Sequence, residues 1–285
     1  MSTQPYVLAC IDGSSYSKDV CSYSAWIART INAPLTFLHT IEQSSTPEVS
    51  NLSGAIGLGA SEDLLNELTT VEQVRRKLLI QKGKLMLEAA KVEAQNAGVS
   101  DVNLSQQHGS LPEALINKEE ESRFLVVGIR GENHENNQKD IGATLEIVIR
   151  SLHKPILVVN KTFTPPQKIM LAYNASAAAK KALDIVASSI LFKNIECHIV
   201  HVGTTDSTDN LLDDAKNTLV TAGLKVTTCQ LSGQVDEALA SYQLENEIDL
   251  TVMGAFSHNR VRDFLIGSFT AKMLAATQRP LLLLR

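Results

Sequence analysis

The sequence has no long run of Lys or Arg, and no apolar run approaches the length of a bilayer crossing. The four cysteines, Cys10, Cys21, Cys197 and Cys229, form no CxxC pair and have no His nearby at metal-ligand spacing. Each lack excludes a class of function. Without such a run, and with a formal net charge of −5, the chain is not expected to meet a nucleic-acid backbone or an anionic membrane surface. Without an apolar span it is not expected to cross a membrane. The polar start, residues 1–6, lacks the basic and apolar regions of a signal peptide. Scattered cysteines read as buried, reduced thiols of a cytoplasmic protein, with no metal site made by protein alone. Catalytic motifs are missing too: there is no G-x-S-x-G elbow, no H-E-x-x-H and no G-x-x-x-x-G-K-[ST]. An efficient hydrolase is therefore not expected.

What is present is a repeat. A hydrophobic fraction of 44% supports a real core, and 285 residues suit two domains of ordinary size. The run Tyr6-Val-Leu-Ala-Cys-Ile-Asp12-Gly-Ser14 aligns with Ile169-Met-Leu-Ala-Tyr-Asn174-Ala-Ser176, and Leu35-Thr-Phe-Leu-His39-Thr40 aligns with Cys197-His-Ile-Val-His201-Val202, both at an offset of 162. Further on, Gly109 to Leu115 matches Gly233 to Leu239, Phe124 to Gly128 matches Leu250 to Gly254, and Pro155 to Val159 matches Pro280 to Leu284, at offsets of 124 to 126. The fall in offset places an insertion of about 38 residues in the first half, between His39 and Gly109. The expected organisation is a first domain over 1–160 with an insertion at about 44–80, a proline-bearing linker over 161–167, and a second domain over 168–285.

Each half alternates apolar runs of strand length with segments of helical period. The fold class is therefore α/β, with right-handed crossovers and mainly parallel, doubly wound sheets of five strands. The insertion opens with loop residues. From Ser61 it becomes a helix or helix pair, with Val71, Val74, Leu78 and Leu85 at helix-face spacing and an end near Gly98. Two readings of it stand: an ordinary amphipathic helix laid on the sheet, or a lid or partner surface.

In doubly wound sheets ligands bind at the carboxyl ends of the strands. There the first half has Gly128-Ile-Arg-Gly131, then Gly142-Ala143-Thr144 opening a helix. The second has Gly254-Ala-Phe-Ser257, then Gly267-Ser268. Glycine lets the backbone approach an anion, and the helix start offers unpaired N–H groups and an oriented dipole. Asp12, ending the first strand, is placed to accept from ribose hydroxyls or to help hold a phosphate-bound Mg²⁺. The N-cap of the following helix is its other reading. Asn174 keeps the shape without the charge.

These residues resemble the universal stress protein family in tandem form. The family's pattern is a first strand ending in Asp, a second ending in a Leu-His-Val-like step, and a G-x2-G-x9-G-[S/T] loop. Gly254-x2-Ser257-x9-Gly267-Ser268 keeps that spacing with one Ser for Gly, and the first half carries one extra residue. The resemblance implies an adenine nucleotide alpha hydrolase-like, Rossmann-like fold paired into an intramolecular pseudo-dimer through the last strand of each half, either alone or as a homodimer. It implies stress response and binding of ATP or AMP, with Mg²⁺ through the phosphates. The implied binding residues are Asp12, Thr40, Gly128, Gly131, Gly142 and Thr144, and in the second half Asn174, Val202, Gly254, Ser257, Gly267 and Ser268. Ser257 and Asn174 weaken the second site, and Glu132 and Glu135 in the first loop would repel polyphosphate. His39 and His201 read as satisfied structural side chains, and His258 with Arg260 and Arg262, like His134, as loop residues. Two functions follow: a nucleotide-binding sensor or regulator with little or no hydrolysis, or a ligand-free protein that meets partners through its dimer-type surface.

Overall fold

The computed structural model describes residues 4–42, 60–132, 143–203, 208–255 and 268–284. Two repeats of the same order make up the chain. The first runs β1 (Tyr6–Cys10), α1 (Ser17–Ile31), β2 (Leu35–Ile41), α2 (Ala60–Asn96), β3 (Val102–His108), α3 (Leu111–Lys118), β4 (Ser122–Gly128), α4 (Ala143–Ser151) and β5 (Ile156–Val159). The second runs β6 (Lys168–Ala172), α5 (Ala177–Ser188), β7 (Glu196–Val202), α6 (Thr208–Thr221), β8 (Val226–Leu231), α7 (Val235–Glu245), β9 (Leu250–Gly254), α8 (Ser268–Ala276) and β10 (Leu281–Leu284).

All ten strands join one sheet in the order β3-β2-β1-β4-β5-β10-β9-β6-β7-β8. Pairing is parallel throughout except at the centre, where β10 runs antiparallel to β5 with Leu281, Leu282 and Leu283 opposite Val158, Leu157 and Ile156. The expected pseudo-dimer is thus built by the two terminal strands. Their side chains, at most 3% exposed, are core on both faces.

Parallel strands covered on both sides read as unbroken apolar runs. Each face of this sheet has its own core. One gathers Val7, Phe37, Leu171 and Ile199 with α1, α2, α5 and α6. The other gathers Leu8, Leu38, Met170 and Val200 with α3, α4, α7 and α8. Three helices on the first face stop alike: at Asn32, Gly98 and Gly223 the chain turns left-handed. The next N–H then bonds back five residues, from Ala33 to Ala28, Val99 to Ala94 and Leu224 to Leu219, which satisfies carbonyls the helix end leaves open. The segment between the repeats is pinned to α1. Phe163 N–H donates to Asp19 Oδ1 at 2.9 Å, and its ring meets Tyr23 edge-on at 4.7 Å.

Helix α2 is a single helix of 37 residues, about 55 Å at 1.5 Å per residue. Its stripe does not face the sheet. Val71, Val74, Leu78, Leu85 and Val92 are 51–72% exposed, while Leu87, Ala90 and Ala94 on the opposite side are buried. The expectation of an ordinary amphipathic helix with that stripe in the core is therefore corrected. Small residues make the packing face because the helix lies very close to the sheet. A Cβ at Gly83 would come within 2.1 Å of Gln106 Nε2 and 2.4 Å of His39 Cδ2.

Candidate functional site

The carboxyl ends of β1, β2 and β4 open into a cavity of about 550 Å³, a volume typical of small-molecule sites. Its walls carry Asp12, Thr40, Gly128, Gly131 and Thr144 together, so five of the six first-half residues singled out above meet in one place. The sixth, Gly142, lies outside the described residues.

Asp12 is held in place by local geometry. Its Oδ1 accepts from Ser14 N–H at 3.0 Å and Ser17 Oγ–H at 3.2 Å, and its Oδ2 accepts from Glu132 N–H at 3.1 Å. Helix α1 begins at Ser17 after Tyr16, with no side-chain cap. Asp12 therefore closes the turn ahead of the helix instead of capping it, and it ties that turn to the loop after β4. Gly131 is what lets this loop come close, since a Cβ there would sit 3.0 Å from Asp12 Oδ2. Gly13 takes φ +85, and a Cβ on it would press on Met86 of α2 at 3.1 Å.

His39 also lines the cavity, and its Nδ1 bonds to Ile11 O at 2.9 Å. His201 repeats this with Tyr173 O at 2.9 Å. A carbonyl partner fixes Nδ1 as the donor, so each ring braces a second strand against the turn after the first. The thiol of Cys10, also in the wall, is pushed up by burial and then by the charge of Asp12. It stays protonated at neutral pH.

Charge in the cavity is mixed. Its lining includes the acids Asp12, Glu42 and Glu132 and the bases Arg75 and Arg130. Glu132 pairs with Lys82 of α2, which offsets the repulsion expected of that residue; Glu135 lies outside the described residues. Arg75, Leu79 and Lys82 belong to α2, and sequence reasoning did not single them out. The signal available was a cluster of bases, Arg75, Arg76, Lys77, Lys82 and Lys84, on a helix following a strand whose carboxyl end opens into the cavity.

The second half differs. Asn174 Oδ1 accepts from Ser176 N–H at 3.1 Å, and Ser176 Oγ caps α5 by accepting from Ala179 N–H at 3.3 Å. Val202 ends β7. What approaches Gly254 is the first turn of α5: a Cβ there would meet Ala178 C at 2.5 Å and Ala178 O at 2.6 Å. Its lack of a side chain is required by helix packing. Ser257, Gly267, His134, His258, Arg260 and Arg262 lie outside the described residues, and Ser268 is the first residue of α8.

A family model for universal stress proteins matches residues 6–160 and 203–285. The chain belongs to the universal stress protein family. It is 38% identical to universal stress protein Slr1230 of Synechocystis over 284 residues, covering 98% of this chain and 99% of that one. In fold it is similar to a universal stress protein of Archaeoglobus fulgidus, with a TM-score of 0.72 at 16% identity over 99% of this chain and 97% of the other. A functionally unknown protein of Pseudomonas aeruginosa PAO1 gives a TM-score of 0.60 at 15% identity over 99% and 92%. The gap in the family match, 161–202, holds β6, α5 and β7, the part of the second repeat that carries Asn174 in place of Asp12. Among the described residues no helix of this universal stress protein is long and apolar enough to cross a membrane.

Proposed function

We propose that the first repeat binds an adenine nucleotide, ATP or AMP, and that the protein acts through this as a stress-response sensor or regulator with little or no hydrolysis. The observation that carries the reading is the single cavity bringing Asp12, Thr40, Gly128, Gly131 and Thr144 together at the strand ends. In it Thr40 offers backbone groups to the base, and Asp12 offers remaining lone pairs to the ribose. Gly128, Gly131 and the start of α4 at Thr144 receive the phosphates, with any Mg²⁺ held mainly by phosphate oxygens. Slow turnover at most is expected because the groups near the ligand are occupied. His39 braces the backbone, and Cys10 is a protonated thiol. The second repeat is proposed to bind weakly or not at all, since Asn174 lacks the charge of Asp12 and Ser257 adds a side chain where the backbone must approach phosphate.

A second reading, action through protein contacts, is favoured by one feature, the outward apolar stripe of α2. The strands expected to form its contact surface, β5 and β10, are already paired with each other and buried.

Mass analysis of small molecules released from the purified protein, followed by thermal shift with ATP and AMP with and without Mg²⁺, tests the proposal. A hundredfold excess over Kd should stabilise the protein by about 2.7 kcal/mol. Gly131→Val should remove the shift by driving Asp12 and the loop apart. No co-purifying nucleotide and no shift at millimolar ligand would leave the contact reading in its place.

A further inference from the structure

We infer that the inserted helix α2 is a wall of the nucleotide site, with Arg75 and Lys82 as the cations that take the ligand's phosphates. The inference rests on the nucleotide reading above and adds ligand residues that the family's glycine loop does not supply.

The helix is fastened to the rim at several points. Gly83 lies against His39 and Gln106, Gln106 Nε2 donates to Ile80 O at 3.2 Å, and Met86 and Lys82 stand over Gly13. Two turns nearer its start, Arg75 and Leu79 enter the cavity wall. The apolar stripe on the outer face plays no part in this packing, so the inner face is held by its fit to the strand ends.

Charge gives that fit a purpose. A polyphosphate entering a cavity that presents Asp12, Glu42 and Glu132 needs compensating cations. Among the described residues Arg75 has its ion pair with Glu72, at 3.9 Å and with both side chains more than half exposed, an interaction of about 0–1 kcal/mol. Lys82 is paired with Glu132, and each is about half exposed. A phosphate group carries more charge and more acceptor oxygens than either glutamate. It should therefore draw Arg75 off Glu72 and share or take Lys82 from Glu132. The corresponding helix α6 has 14 residues, so among the described residues this long cationic wall belongs to the first repeat.

The test is calorimetric titration of the full chain with ATP, AMP and adenosine, for the unmodified protein and for Arg75→Gln, Lys82→Met, Lys82→Arg and Glu132→Gln. Ligand-free melting curves would verify that each variant folds. Loss of a charge-assisted phosphate contact should weaken ATP binding about tenfold or more in Arg75→Gln and Lys82→Met. AMP should weaken less and adenosine hardly at all. Lys82→Arg should restore ATP affinity, and Glu132→Gln should tighten it severalfold by releasing Lys82. ATP bound equally by the unmodified protein, Arg75→Gln and Lys82→Met would overturn the inference and leave the nucleotide reading intact. A parallel loss of adenosine and ATP would also overturn it, by showing that α2 merely shapes the cavity. Failure of the unmodified protein to bind any of the three would remove both readings.

Discussion

At two aligned turns the repeats place different residues in the same left-handed backbone: Gly13 at φ +85 and Ala175 at φ +54. Alanine there is strained by about 1 kcal/mol because its Cβ crowds the neighbouring carbonyl. Ala175→Gly should therefore stabilise the protein by up to ~1 kcal/mol, read as a higher urea midpoint at unchanged slope. Gly83 behaves oppositely. Alanine is the better helix former by about 1 kcal/mol, but here its methyl group would strike the ring of His39, itself anchored to Ile11 O. We expect Gly83→Ala to be destabilising by ~1–3 kcal/mol and to speed amide exchange along α2. Gly254→Ala should be worse, since the obstacle is the backbone of α5. A pH effect belongs at this scale too. The Glu196 carboxyl is held below its ordinary range by its hydrogen bond to Lys225 at 2.7 Å, with His198 at 3.3 Å adding to it. A depressed folded-state pKa stabilises above the unfolded value, about 4.3, and that contribution disappears as pH falls through the folded value. Lys225→Met should accordingly cost less than ~1 kcal/mol at neutral pH, Lys225 being largely exposed, and nothing in strong acid. Chemical melts at the two pH values would measure the difference.

Among the elements, eight of the ten strands were legible as continuous apolar runs that the repeat supplies twice, whereas the edge strands β3 and β8 are largely polar and part-exposed, so only their existence followed from the alternation of strands and helices. The cavity residues were legible from the glycines and the aspartate where strands end and, for Thr40, from the family resemblance alone. The setting of α2 was not. Val71, Val74, Leu78 and Leu85 have the spacing of a core face, whereas the true packing face joins Leu87 to Gly83, Ala90 and Ala94, whose small side chains carry little hydrophobic signal. Nor was the Lys82–Glu132 pair legible, since partners 50 residues apart meet through tertiary packing. The strain at Ala175 was hidden because alanine, unlike glycine, announces no special backbone. At this scale the seam gives a prediction. Leu282→Asp would place a charge opposite Leu157, at a site 1% exposed, and should cost at least ~3 kcal/mol. Because that strand is core to both repeats, circular dichroism should show both melting together.

For the whole molecule, one sheet and two apolar layers that run through both repeats argue against independent lobes. Calorimetry should record a single unfolding transition, and nucleotide bound at the first repeat should slow amide exchange in β9 and β10 as well as in β1 and β4. The antiparallel join of β5 to β10 also fixes what kinds of change the molecule can tolerate. When a pair is assembled from two identical copies, any alteration appears on both sides of the axis. With the partner tethered on the same chain, a 37-residue helix can overhang the first repeat while its counterpart in the second keeps 14 residues, so the two halves can carry different sequences at matching places.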